Sequence, residues 1–314
     1  MSTNQTKTIV LAVVVLGAVA LGLWLCLFGR GQAPQVDFTK VSPERPLAEA
    51  VREQPALRVA VAAMISPGIT KQYYEDLLKL IGAKAGRRVE FIQRKSYAEV
   101  NDLIEKREVD LAFVCSGPYV QGHAKFGMEI IAVPVVDGGK VYYSYIIASK
   151  AGTINSFDDL KGRKFAFTDP DSNTGCLVPR FMLARRGTTP QAFFHENFFT
   201  HSHDNSVKAI AEGLADGAAV DSLIWEFMNA TDPVFTSKTK IVEKSPPYGI
   251  PPVVVHPSLD PALKQNLKTL LLTLHTDPAA RPLLQHLRIE RFEEGNDELY
   301  QTVREMQEWL AKPK

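Results

Sequence analysis

The apolar positions of this chain change rhythm several times, and each change marks an element. Residues 9–28, Ile9 to Phe28, run without a charge between Lys7 and Arg30, long enough to cross a bilayer as one helix. From 29 to 55 the rhythm stops. Prolines stand at 34, 43, 46 and 55, and a polar, proline-bearing stretch of that kind reads as a linker. Beyond it, short apolar runs alternate with segments of helical spacing. Leu57 to Ala62 predicts a strand, Ile69 to Ala85 a helix, Arg88 to Gln93 a strand, Tyr97 to Lys106 a helix and Val109 to Val114 a strand. That order predicts an α/β fold with a mainly parallel sheet, and ligands of such folds bind at the carboxyl ends of the strands. Val141 to Ala148, rich in aromatic and branched residues, predicts one long strand that could pass between two lobes. A second alternating unit follows it, with strands around Phe165 and over Gly217 to Val220. Leu259 to Leu274 and Asp297 to Leu310 read as amphipathic cover for the first lobe, and the charged run Glu290 to Asp297 as a solvated turn.

One stretch of the second unit joins a strand end, a polar turn and a helix start: Thr168-Asp-Pro-Asp-Ser-Asn-Thr-Gly-Cys-Leu-Val-Pro179. Ser172, Asn173 and Thr174 are all good N-cap residues, and Gly175 allows close approach to the backbone. The first N–H groups of a helix have no internal partner and carry roughly half a positive charge. Together they form a seat for a phosphate-like oxyanion that needs no lysine. A turn that only caps its own helix would look the same.

Composition narrows the classes. The 314 residues are 45% hydrophobic and 23% charged, with a net charge of +1, which suits one or two globular domains and argues against a nucleic-acid partner. No Walker loop, G-x-G-x-x-G or histidine-rich metal tract occurs, so no cofactor is expected. Cys26 follows the bulky Leu23-Trp24-Leu25 and does not suit lipidation, while eight apolar residues follow Ala18-Val19-Ala20. An uncleaved transmembrane anchor is therefore preferred to a cleaved signal. It leaves the main domain extracytoplasmic, anchored to the inner membrane and facing the periplasm, or on the outer face of the cell membrane.

Asp159-Leu-Lys-Gly162, Thr168 to Gly175, Leu177-Val-Pro179, His203-Asp204 and Asp216 with Ala219-Val-Asp221 resemble the phosphate, phosphite and phosphonate binding proteins of ABC importers. Lys244-Ser-Pro-Pro247 and Ile250-Pro-Pro-Val253 resemble that family's return crossing between lobes. The likeness runs from about Leu57 to Leu287. It implies a two-lobed type II periplasmic binding protein fold with an interlobe ligand cleft. The lobes would span 56–143 plus 247–314, and 144–246. It also implies a solute-binding protein and not an enzyme, with a small oxyanion as ligand and an ABC permease as partner.

Carried over by position, the resemblance assigns the oxyanion to Ser172, Asn173, Thr174 and His203, and a protonated ligand oxygen or an amine to Asp221. Ser66 and Tyr119 would face them from the first lobe. Cys115 and Cys176 stand at element ends on either side. They could form a disulfide, hold a thiophilic species such as arsenite, or be small buried hydrophobes. Two other classes stay open: a sensory input protein for a membrane histidine kinase, and an enzyme on the same scaffold using Cys176 and His203.

Overall fold

The computed structural model describes residues 55–312. The expected anchor over 9–28 and almost all of the expected linker lie outside them. Among the described residues no helix is long and apolar enough to cross a membrane.

The chain first lays down β1 (Leu57–Val61), β2 (Val89–Ile92), β3 (Leu111–Phe113) and β4 (Glu129–Val135), with helices Pro67–Lys84, Tyr97–Glu105 and Ser116–Phe126 between them. Alternation explains why β1 is a central strand. Leu57, Val59 and Val61 pack on one face with Leu77, Leu78 and Ile81, whereas Ala60 faces Tyr97, Val100 and Leu103 on the other. Ser96 and Glu99 close a reciprocal capping box at the start of the helix that follows β2.

The chain then crosses through β5 (Val141–Tyr142) into β6 (Ser144–Ser149), and β7 (Lys164–Phe167), β8 (Glu196–Phe199), β9 (Gly217–Asp221) and β10 (Thr239–Lys244) complete a second sheet. It returns through β11 (Tyr248–Gly249), and β12 (Val253–Val255) and β13 (Arg291–Glu293) rejoin the first. The sheet orders are β13-β4-β12-β3-β1-β2 and β10-β6-β9-β7-β8, and β5 pairs with β11 as the two-stranded crossing. The result is the α/β fold that the element order predicted, in the two-lobed form that the resemblance implied.

Three expectations are corrected. The first sheet is mixed, because β12 runs antiparallel to β3 and β4, and β13 antiparallel to β4. The single strand expected over Val141 to Ala148 breaks at Tyr143. Its N–H donates to the Ser222 hydroxyl and its carbonyl accepts from the Ser222 N–H, so its backbone bonds leave the ladder. The solvated turn expected at Glu290 to Asp297 contains β13: Phe292 is buried, while its charged neighbours Arg291 and Glu293 pair with each other.

Candidate functional site

The strand ends of both sheets meet where the lobes face each other. After β7, Ser172 accepts a hydrogen bond from the Gly175 N–H at 3.0 Å. The Cys176 and Leu177 N–H groups both donate to the Ser172 carbonyl, at 3.2 and 2.9 Å. Asn173–Leu177 thereby winds as one wide π-turn before the helix Val178–Arg185, a form of irregularity frequent at functional sites. Gly175 is required there for space. A Cβ on it would lie 2.5 Å from the Thr168 side chain and 3.0 Å from the His203 ring.

His203 opens the helix after β8, and Asp221 ends β9. The Asp221 N–H donates to His203 Nδ1 at 3.0 Å, so Nδ1 is an acceptor and the ring proton resides on Nε2. Burial pushes the His203 pKa down to about 3, which keeps the ring neutral. Asp221 is also fully buried, and desolvation pushes its pKa up to about 7 against the opposing pull of the Leu223 and Ile224 N–H groups. One of its oxygens accepts from the Leu223 N–H at 2.7 Å. Histidine is thus an obligate neutral donor through Nε2, and aspartate is poised between acceptor and donor.

Several buried atoms around this pair have no hydrogen-bond partner in the protein: Tyr97 Oη, Asn173 Oδ1, Thr174 Oγ1, Ser202 Oγ, His203 Nε2 and Asp221 Oδ2. Leaving such an atom without a partner costs about 1–3 kcal/mol. Most of their residues are tied together in space. Tyr97 and Tyr142 both feel the Asp221 charge. Asn173 Nδ2 donates to the Tyr142 hydroxyl at 3.1 Å. Ser144, the β6 partner of Asp221, donates to the Thr174 carbonyl at 2.6 Å. Ser202 directly precedes His203.

The lobes are held against each other by second-lobe carboxylates on first-lobe helix starts. Asp204 accepts from the Ser66 N–H at 2.9 Å, and Asp169 from the Tyr97 N–H at 3.2 Å. Negative charge is stabilised at both places by the helix dipoles. The His203 N–H donates to the Met64 carbonyl at 3.0 Å. Gly117 passes so close to the other lobe that a Cβ would lie 2.3 Å from the Asp171 carbonyl oxygen.

Of the residues singled out in the sequence, Asn173, Thr174, His203 and Asp221 come together with unpartnered atoms. Ser172 serves as the cap of the turn. Ser66 contributes its backbone N–H to Asp204. Tyr119 departs from the expectation that it faces the cleft. Its hydroxyl donates to Asp297 Oδ1 at 2.9 Å and its ring lies 4.6 Å from that of Tyr300, both within the first lobe.

The cysteines are free and buried, which corrects the disulfide option. Cys115 lies 3.7 Å from the Tyr142 hydroxyl, while Cys176 packs with Phe165, Phe167 and Leu183 in the second-lobe core. Burial raises both thiols to about 11, so neither is an activated nucleophile. Among the described residues no group of three His, Cys, Asp or Glu side chains could hold a metal ion.

Sequence reasoning marked the Ser96-Tyr97 turn at a strand end but assigned no ligand role to Tyr97 or Ser202. Tyr97 falls in phase with the buried face of its helix, where it reads as core. Ser202 precedes the histidine and reads as a cap, yet it makes no side-chain cap bond. Their signal was position alone, since each lies just beyond a strand end.

Residues 59–300 match a family described as ABC transporter, phosphonate, periplasmic substrate-binding protein. The chain is similar to the phosphate-import protein PhnD of Mycolicibacterium smegmatis, with 30% identity over 64% of this chain and 66% of that one. It thus spans just under two thirds of that relative's length. Its fold is similar to that of a binding protein component of an ABC phosphonate transporter from Pseudomonas aeruginosa, with a TM-score of 0.78, 24% identity and coverage of 82% and 87% of the two chains. It is also similar to that of PhnD1 from Prochlorococcus marinus in complex with methylphosphonate, with a TM-score of 0.75, 20% identity and coverage of 82% and 99%.

Proposed function

We propose that this chain, which belongs to the periplasmic phosphonate substrate-binding proteins of ABC transporters, closes its lobes around a phosphonate, phosphite or phosphate and delivers it to an importer. The group of buried, unpartnered polar atoms around His203 and Asp221 carries this reading. The Tyr97, Thr174 and Ser202 hydroxyls and His203 Nε2–H are donors, and a phosphonate head offers several strong acceptor oxygens to meet them. Turning the Asn173 amide over lets the Tyr142 hydroxyl donate to Oδ1 and brings an N–H to the ligand. Asp221 Oδ2 takes the remaining position, accepting from a P–OH when ionised or donating to a P–O⁻ when protonated.

Recognition by neutral donors in a buried site suits an anion that must be released, because no lysine or arginine holds it. Binding is then coupled to closure. The closed form brings Asp204 and Asp169 onto the first-lobe helix starts and completes the donor set, so the ligand favours it over the open form. The first lobe spans 56–143 plus 247–314 and the second 144–246. A membrane anchor over 9–28 keeps the protein at the outer face of the inner membrane, near its permease.

Thermal unfolding of the full chain tests the ligand class. Methylphosphonate, phosphite or phosphate at about 100 times its dissociation constant should stabilise the protein by about 2.7 kcal/mol, a rise of several degrees. No rise with any of the three overturns the proposed function.

A further inference from the structure

A cavity of about 360 Å³ shares Asp221 with the oxyanion seat and is lined by Met64 and Ile65 as well. Of the seat residues only Asp221 lines it, and the carbonyl of Met64, another lining residue, accepts from the His203 N–H. Its walls come from both lobes: Tyr74 and Phe113 on one side, and Leu223, Ile224 and Phe227 on the other. The charged groups of the lining are engaged elsewhere. Arg288 donates to the Glu226 carbonyl at 3.1 Å and to Asp137 at 3.3 Å, bridging the lobes. Lys244 sits 3.6 Å from the centre of the Tyr143 ring, and Glu226 accepts from the Tyr145 hydroxyl at 3.2 Å.

A mainly apolar cavity with a few placed polar groups is how small-molecule sites fix orientation and accept bulk, and its volume lies in the range of such sites. Phosphate and phosphite have nothing to place there, and methylphosphonate only a methyl group. We propose that the cavity receives the organic substituent of the ligand, and that the protein prefers organophosphonates carrying an apolar, ring-bearing tail. The inference rests on the oxyanion seat proposed above. The head group meets His203, Thr174 and Tyr97, the carbon–phosphorus bond points past Asp221, and the tail lies between Phe113 and Ile224. An aromatic tail would find Tyr74, Phe113 and Phe227 as ring neighbours.

Calorimetric titration of the full chain with methylphosphonate and benzylphosphonate tests this. The expected result is at least tenfold tighter binding of benzylphosphonate. Ile224→Trp, which fills the cavity away from the head group, should abolish that gain and leave methylphosphonate affinity unchanged. Benzylphosphonate binding no better than methylphosphonate in the unmodified protein overturns the inference while sparing the oxyanion seat. A benzyl gain that survives in a folded Ile224→Trp protein also overturns it, by placing the tail elsewhere. If methylphosphonate, benzylphosphonate, phosphite and phosphate all fail to bind, the seat itself is wrong and the tail assignment falls with it.

Discussion

The two walls of the cleft are both built from turns at the carboxyl ends of strands, but they differ in what they leave unpaired. In the first lobe the helix starts at Ser66 and Tyr97 are occupied by Asp204 and Asp169. Ser116 gives its hydroxyl to the Gly249 carbonyl at 2.7 Å, and of the six unpartnered atoms named around the His203–Asp221 pair, the Tyr97 hydroxyl is the one from this lobe. In the second lobe, Asn173, Thr174, Ser202, His203 and Asp221 each keep a buried atom without a partner. The same kind of turn thus does two jobs. On the proposed reading the second lobe holds the ligand, and the first lobe closes over it with Asp204 and Asp169 already on its helix starts.

Substitutions that treat the walls unequally will break or sharpen this contrast. The largest effect belongs to His203→Ala, which removes a buried donor to an anion. Such bonds contribute about 1.5–3 kcal/mol, so calorimetry should show methylphosphonate binding weakened roughly 10- to 100-fold. Undiminished affinity would move recognition away from the second lobe.

Asp221 gives the next effect, through pH. Its pKa is raised by burial to about 7, so it is protonated below that pH and can donate to a dianion. Above it, an ionised Asp221 meets a ligand that has lost its own proton, and affinity should fall by up to about tenfold per pH unit. Asp221→Asn should flatten that decline. The same raised pKa makes a stability prediction for the unliganded protein. The unfolded carboxyl loses its proton near 3.8 and the folded one near 7, so the folded state binds more protons between those values. Relative to Asp221→Asn, the native chain should therefore lose stability as pH rises through that window. His203, held down near 3, stays neutral in the folded protein and adds no pH dependence to binding between about 5 and 7. The unfolded ring, however, takes up a proton below its ordinary 6.5, so His203 lowers the stability of the unliganded protein as pH falls through that value.

Asp204→Ala tests the closing wall. Removing a carboxylate from a helix start costs about 0.3–1 kcal/mol, and up to about 2 in partly buried geometry. Stopped-flow measurements should show affinity weakened by about fivefold, mostly through faster dissociation. An effect as large as that of His203→Ala would mean that the lobes share recognition equally.

Much of this was legible in the sequence, and what was not has physical causes. The alternating strands and helices of both lobes were visible, because buried strands and amphipathic helices impose distinct periods, while the division into two lobes came from the family resemblance. The Thr168 to Gly175 turn and the His203 and Asp221 positions were visible as polar residues at strand ends. The antiparallel return of β12 and β13 was hidden, since pairing direction leaves no local trace and Phe292 is a lone apolar residue among charges. Tyr97 was hidden by its own phase: an aromatic on the buried face of a helix looks like core whether its hydroxyl is satisfied or not. Tyr119 misled for the converse reason, as its partner Asp297 lies 178 residues away along the chain.

That last pair supplies the smallest predicted effect on binding. Tyr119→Phe should leave methylphosphonate affinity within about twofold and lower stability by about 1 kcal/mol in denaturant titration. A loss of affinity without a loss of stability would return Tyr119 to the cleft.

The most direct test of the second-lobe seat is nitrogen NMR of the His203 imidazole during titration with methylphosphonate. A proton on Nε2, none on Nδ1, and a shift of the Nε2–H signal that saturates with the ligand are predicted. A proton on Nδ1, or an Nε2–H signal unmoved at saturation, would contradict the assignment of His203 as the donor that holds the oxyanion.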